Sequence, residues 1–532
     1  MSLNFVYAKS LSKLRGTNFK AFILIFLITF SIFVFTSDGH RFTFDEALAQ
    51  DQSIRIATLE PHPNYVQGES RIFFEYTWLY PPSINQRSIC ENAILCSQAS
   101  VVHSITQVPF LILNHNFHII TNDTKEISPY AFDDQSYALW RNSLDPDFTF
   151  MELFYGPVFS ALSVSILFLV SRTFNFSVKT SLLLAFLYGF STILWAYSQT
   201  SLNSVPSTFF ILLGFLFFRK FQNTSSHYML VLSGIILGLA FLTRQDSILF
   251  IIPLFFFMLY ELRNKNKKVQ NFFSFVIPLF SAYGISLLID YVRVGAYDTS
   301  APLRYASVVG GEGTIPIHLN MFGLFFSPGV GLLIFAPILI TVFLSFPHFY
   351  KKHRSECVLF LCIVGFFLLY YGSSETWHGL NAWGARYMVP IIPFLILPLG
   401  ASIEKIKHVS FKISLTFLAI LGAFFNLLYL VQDVSWFIWG IMGAHQGGLY
   451  DIDGAANLWV SPLVLWTFEF SQLTHSIFWV FTKLQHDILL LHVFGVGLYV
   501  LIFGIILTSL MFFLVRFLKN NSQISKNIQN ND

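Results

Sequence analysis

With 54% hydrophobic residues, 11% charged ones and a mean hydropathy of +0.61 over 532 residues, the chain is too apolar for a soluble protein, which usually carries about 25% charged residues. That excludes a string of water-soluble domains, although the length alone would accommodate several. The formal net charge of +3 points to no nucleic-acid partner; in a membrane protein the informative quantity is where the charges sit.

In chain order, a basic start (Lys9, Lys13, Arg15, Lys20) precedes a first apolar run near 21–36. A basic start and such a run also describe a signal peptide. No small-residue cleavage site follows directly, Ala47-Leu48-Ala49 lying further downstream, so the run is read as a span. Further runs able to cross about 30 Å of hydrocarbon lie near 153–170, 181–199, 203–218, 229–243, 248–262, 271–291, 329–347, 356–372, 387–403, 411–431 and 493–515. The expected fold class is therefore all-α: one polytopic integral membrane domain over 1–532 with about twelve transmembrane helices. The 63 phenylalanines read as lipid-facing bulk.

Basic clusters recur at Arg219-Lys220, Arg263 to Lys268, Lys351 to Arg354, Lys405 to Lys412 and Arg516 to Lys519, each at an even-numbered connection. The positive-inside rule makes those connections cytoplasmic. All of the 29 Asp and Glu except Glu261, Glu356, Glu404 and Asp532 then fall outside. This predicts a multi-pass protein of the cell membrane with both termini cytoplasmic, extracytoplasmic loops over 37–152 and 432–492, and a polar cytoplasmic tail over 517–532. Val101 to Ile120 is apolar but carries His103, Gln107, Asn114, His115, Asn116 and His118. Polar groups in lipid are costly, and a crossing there would invert every later cluster, so the segment is expected to be re-entrant or interfacial. The same reading applies to 461–481.

Cys90 and Cys96 sit in the outer loop, where a disulfide can persist, and either state suits them. Cys357 and Cys362 read as small buried residues of a span. No CxxC, HExxH, Walker A or GxGxxG context occurs, which removes metallopeptidase, nucleotidase and dinucleotide readings.

Four outer-facing stretches carry the chemistry, each with a bland alternative. Asp45-Glu46 closely follows the first span, as an acid-base pair or an acidic helix start. Thr243-Arg244-Gln245-Asp246 is a tight connection, functional or an Arg-Asp pair closing a hairpin. The loop 293–328 leads into Ser327-Pro328-Gly329-Val330-Gly331, the bent start of a span. In Trp377 to Tyr387, Arg386 either binds an anion or snorkels, and Trp377 and Trp383 double as interface anchors.

Taken in order, these stretches resemble the GT-C superfamily of membrane glycosyltransferases, specifically the prokaryotic proteins similar to family 39, the protein O-mannosyltransferase and aminoarabinose transferase relatives. Asp45-Glu46 matches the acidic motif after the first span, and Leu242 to Asp246 the L-T-R-x-D hairpin. Ser327 to Gly331 matches S-P-G-x-G, and Trp383 to Pro393 matches W-G-x-R-Y-hhP-hhP. The likeness runs from residue 20 to about 430. The W-W-D-Y-G block of oligosaccharyltransferases is absent, as is the MIR insertion of eukaryotic protein mannosyltransferases.

The resemblance implies a hexosyltransferase that takes its sugar from a polyprenyl-phosphate carrier and passes it, with inversion, to a hydroxyl of a glycan, lipid or protein on the outer face. Asp45, or else Glu46, is then the general base. Arg386 first, then Arg244 and Arg304, stabilise the leaving phosphate, and Asp133 and Asp134 are candidate second carboxylates. No resident metal is required, though the scheme accommodates a divalent ion between carboxylate and phosphate. The membrane itself is a partner, since it holds the carrier's tail. The rival reading is a transporter or flippase. That would call for internal repeats or ionisable residues at the bilayer midplane, and the sequence shows neither. A third, a non-catalytic scaffold, predicts an acidic pair that tolerates mutation.

Overall fold

The computed structural model describes residues 2–40, 43–59, 95, 99–117, 146–263, 265–294, 316–374, 376–379, 382–432, 462–482 and 487–529. Asp133, Asp134, Arg304, Cys90 and Cys96 lie outside them. Among the described residues there is no strand, and nine helices are long and apolar enough to cross a membrane. The chain is an all-α polytopic membrane protein. Its last span, within Leu489–Asn520, turns Val496, Leu498, Val500, Leu501 and Ile505 outward, where lipid rather than water is the fitting solvent for so large an apolar face.

The nine include all of the expected spans except those near 181–199, 229–243 and 329–347, and each exception has a local cause. The first breaks into Val178–Phe190 and Leu194–Tyr197. At the break the Thr192 hydroxyl donates to the Tyr188 carbonyl (2.6 Å) and accepts from the Leu194 N–H (3.3 Å), taking over partners that a helix would use. The second is the 17-residue helix His227–Thr243, ended by the extended backbone of Arg244 (φ −155°). The third is divided at Pro337, which has no N–H to give a helix, into Leu332–Phe335, Pro337–Leu339 and Ile340–Lys352.

Small residues let the central helices approach. Ser204–Thr224, His227–Thr243 and Lys268–Val294 pack side by side. A side chain at Gly234 would meet the Phe275 carbonyl oxygen at 2.6 Å, and the Ser233 hydroxyl donates to the Gly214 carbonyl (2.9 Å). Such contacts are the usual glue between helices in lipid. Arg219 and Glu356 form a buried ion pair (2.6 Å) beneath the Phe174 ring. It lies at the opposite end of the Ser204–Thr224 helix from Ser201. Cys357 is buried as expected, but Cys362 is exposed on the outer face of its helix, a correction that fits a weakly polar thiol facing lipid.

Val101–Phe117 is a helix packed on Phe44–Thr58 and Pro146–Thr173. Of its polar residues, His103 and Gln107 both reach the Ser201 carbonyl, at 2.8 and 3.3 Å. Residues 462–482 form two short helices, Pro462–Trp466 and Gln472–Thr482.

Candidate active site

Connections at one end of the bundle build the site. The Phe44–Thr58 helix opens with a capping box. The Thr43 hydroxyl accepts from the Glu46 N–H (3.4 Å), while Glu46 Oε2 accepts from the Thr43 N–H (2.9 Å) and hydroxyl (3.1 Å). This reciprocal pairing satisfies donors that a helix start otherwise orphans. The other oxygen of Glu46, Oε1, accepts from the Ser201 N–H (2.8 Å), and the residue is fully buried. Glu46 thus fixes the helix start to the connection before Ser204–Thr224.

Asp45, next to it, has the opposite environment. Its side chain is 43% exposed, and Oδ2 accepts from Nη2 of Arg386 at 3.0 Å. The two residues are 341 positions apart in sequence. Arg386 is aimed by its own loop, where Gly379 adopts φ +78° and a Cβ there would lie 2.8 Å from Arg386 Cγ. Both the left-handed backbone and the close approach call for glycine.

Arg244 is the second guanidinium. Its Nε donates to both oxygens of Asp246 (2.8 Å each), and Nη2 donates to the Tyr371 hydroxyl (3.2 Å), which in turn donates to Asp246. Burial pulls the Arg244 pKa down, but Asp246 and Tyr371 outweigh it and hold the guanidinium protonated. Tyr387 lies between the two arginines: its ring is 5.2 Å from the Arg386 guanidinium, 5.8 Å from that of Arg244, and stacked on Tyr371 at 4.2 Å. An aromatic face favours cations on it, so two positive groups share one small area of surface beside an open carboxylate.

Ser201 and Glu152 were not among the expected site residues. Besides its N–H to Glu46, Ser201 donates its hydroxyl to Glu152 (3.0 Å), and its carbonyl meets His103 Nε2 (2.8 Å). Glu152 also accepts from Gln50 and is 1% exposed. Burial pulls the His103 pKa down to about 4 against the opposing influence of the Ser201 carbonyl, so the ring is neutral near pH 7. An acidic residue at the head of an apolar run was the one available signal for Glu152.

Trp377 and Trp383 are each 1% exposed and are packing residues rather than surface anchors. Trp377 lies against Trp466 (5.7 Å), and Trp383 stands edge-on to Phe335 (4.9 Å). Ser327 to Gly331 is a junction outside the arginine cluster: the Ser327 hydroxyl donates to the Leu465 carbonyl (2.5 Å), and the Gly329 N–H donates to the same oxygen (3.2 Å). The structure therefore brings together Asp45, Glu46, Arg244 and Arg386 of the expected residues.

Residues 152–285 match the family described as dolichyl-phosphate-mannose-protein mannosyltransferase. Over that quarter of its length the chain is similar to a family of membrane mannosyltransferases. The matched segment holds Glu152, Ser201, Arg244 and Asp246, whereas Asp45 and Arg386 come to the site from either side of it. No individual curated protein matches the chain.

Proposed function

We propose that the protein transfers a hexose from a polyprenyl-phosphate carrier to an acceptor hydroxyl, with Asp45 as general base and Arg386 as the donor-phosphate ligand. The observation that carries this reading is the Asp45–Arg386 pair, an open carboxylate and a guanidinium 3.0 Å apart at the end of an apolar bundle. The family match to a lipid-phosphate-sugar transferase supports the donor class.

In the proposed step the acceptor oxygen bonds to the anomeric carbon as the bond from that carbon to the phosphate oxygen breaks. The proton passes to Asp45 and polyprenyl phosphate leaves. Attack opposite the leaving group inverts the anomeric centre. The donor phosphate competes with Asp45 for Arg386, so donor binding turns the carboxylate toward the acceptor. Arg244, already held by Asp246 and Tyr371, adds positive potential from behind the ring of Tyr387. Preorganised charge of this kind, costing no reorganisation in the transition state, is the usual source of leaving-group stabilisation. Glu46 serves the reaction by holding Asp45 in place.

We place the site on the extracytoplasmic face, because the basic clusters lie at the far ends of the same helices. Against transport, the buried charges of Arg219–Glu356 and Arg244–Asp246 lie at helix ends, not at the midplane where a carrier would use them. Purified protein incubated with a panel of polyprenyl-phosphate sugars should release free carrier only when an acceptor with a hydroxyl is supplied. Release from no donor in the panel would overturn the reading.

A further inference from the structure

A second group of polar residues lies where the outer loop leaves the first helix, apart from the arginine cluster. Asp38, His40 and Asp487 each direct one metal-ligating atom to a common point, with those atoms all within 4.8 Å of one another. His40 Nε2 is 3.0 Å from Asp487 Oδ2 and 3.9 Å from Asp38 Oδ2. The Asp38 side chain is fully buried, and its Oδ2, facing the imidazole, has no hydrogen-bond partner. A buried carboxylate oxygen left unpaired is costly and calls for a ligand.

The backbone is built to hold these groups together. The Leu489 N–H donates to the Ser37 carbonyl (3.1 Å), joining the end of the first helix to the start of the last, and the Asp487 N–H is fixed by the Val431 carbonyl (3.1 Å). Between Asp38 and His40, Gly39 adopts φ +73° with Leu489 Cδ2 only 2.5 Å from where a Cβ would sit. Only glycine allows that turn and that approach, and the turn is what points Asp38 and His40 the same way.

We infer that Asp38, His40 and Asp487 form a binding site for a first-row divalent cation, zinc in the first instance, that clamps the start of the outer loop to the start of the last helix. Tetrahedral coordination at about 2.0–2.1 Å separates ligand atoms by roughly 3.4 Å, between the 3.0 and 3.9 Å found here. Two carboxylates with a neutral imidazole neutralise a dication, and an imidazole donor favours zinc over magnesium or calcium. His40 and Asp487 are each 16% exposed, which leaves a side open to a water as fourth ligand. The cation is separate from any ion at the donor phosphate, because Asp45 is not among its ligands.

The test is zinc binding by the full-length protein in detergent, after EDTA treatment and desalting, with ZnCl2 as the probe. The expected result is one zinc per chain by elemental analysis and a rise in unfolding temperature on adding ZnCl2. Both should be lost in Asp487→Asn and in His40→Gln, the first chosen because Asp487 is partly exposed and its loss leaves the helices packed. Asp45→Asn should keep the full zinc complement. Retention of zinc by Asp487→Asn and His40→Gln would overturn the site, and loss of zinc only in Asp45→Asn would move it to the active-site carboxylate. If wild-type protein binds no zinc, the three side chains only hydrogen-bond to one another and the inference is wrong.

Discussion

Asp45 Oδ2 and Arg386 Nη2 are 3.0 Å apart although 341 positions separate them in sequence. An ion pair with one partner this exposed contributes at most about 1 kcal/mol to stability, so its placement is better explained by chemistry than by folding. Arg386→Ala should therefore leave expression and unfolding temperature close to wild type while reducing sugar transfer by about 10²-fold or more, the usual cost of losing a charge-stabilising donor. Arg386→Lys keeps the charge but not the two-pronged grip on phosphate and should fall between. Steady-state carrier release checks both; normal turnover in Arg386→Ala would hand the phosphate to Arg244.

Gly379 supports Arg386 at one remove. Alanine there forces a left-handed residue, costing about 1–2 kcal/mol, and puts a methyl 2.8 Å from Arg386 Cγ. Gly379→Ala should reduce transfer as Arg386→Lys does, raising the KM for donor, with a small loss of thermal stability. An unchanged KM would show that the loop does not aim the guanidinium.

Glu46 and Asp45 are adjacent acids that should respond to mutation in opposite ways. Glu46→Ala strands the buried N–H of Ser201 and removes the acceptor of the Thr43 N–H, each worth about 1–2 kcal/mol, so unfolding in detergent should shift by several degrees. Activity per folded molecule should fall through the looser hold on Asp45, but far less than in Asp45→Asn, because the base itself remains. Glu46→Gln has one acceptor oxygen where two are used, so it keeps either the Thr43 contacts or the Ser201 N–H, and should be intermediate. Full stability in Glu46→Ala would contradict the anchoring role.

Asp45 and Arg386 stand out in the sequence because charged residues beside apolar runs are conspicuous. Glu46 pairs with Asp45 there as a candidate base because adjacency in sequence hides orientation: on a helix, successive side chains point about 100° apart, and one faces the protein while the other faces the site. The spacing Thr43-x-x-Glu46 was the readable sign of a cap. Ser201 and Glu152 were not legible, since their roles depend on contacts among four separate segments. Three expected spans differ from single long helices: the runs at Thr192 and Pro337 are broken by a hydroxyl or a missing N–H without becoming polar, and His227–Thr243 is unbroken but short.

The pH dependence of stability follows from His103. Its pKa of about 4 lies below the ordinary 6.5, so the folded state prefers the neutral ring. That stability is fully present above about pH 6.5 and is lost as pH falls toward 4, with a total on the order of 3 kcal/mol. His378, held near 4 by burial and by Arg386, acts in the same sense. Unfolding temperature should be flat above pH 7 and decline below about 6, and His103→Gln, which can still donate to the Ser201 carbonyl, should flatten the decline. An identical profile in that variant would assign the decline to other groups.

The central claim rests on Asp45, and carrier release by Asp45→Asn measured beside its thermal unfolding is the most direct test of it. Asparagine keeps the shape and can still meet Arg386 through its amide oxygen, but it cannot take the acceptor's proton. A positioned general base contributes about 10² to 10⁴ in rate, or roughly 3–5.5 kcal/mol of barrier. The account predicts at least a hundredfold loss of transfer with an unfolding temperature within a degree or two of wild type. Transfer at the wild-type rate in Asp45→Asn would contradict it and remove Asp45 from the reaction.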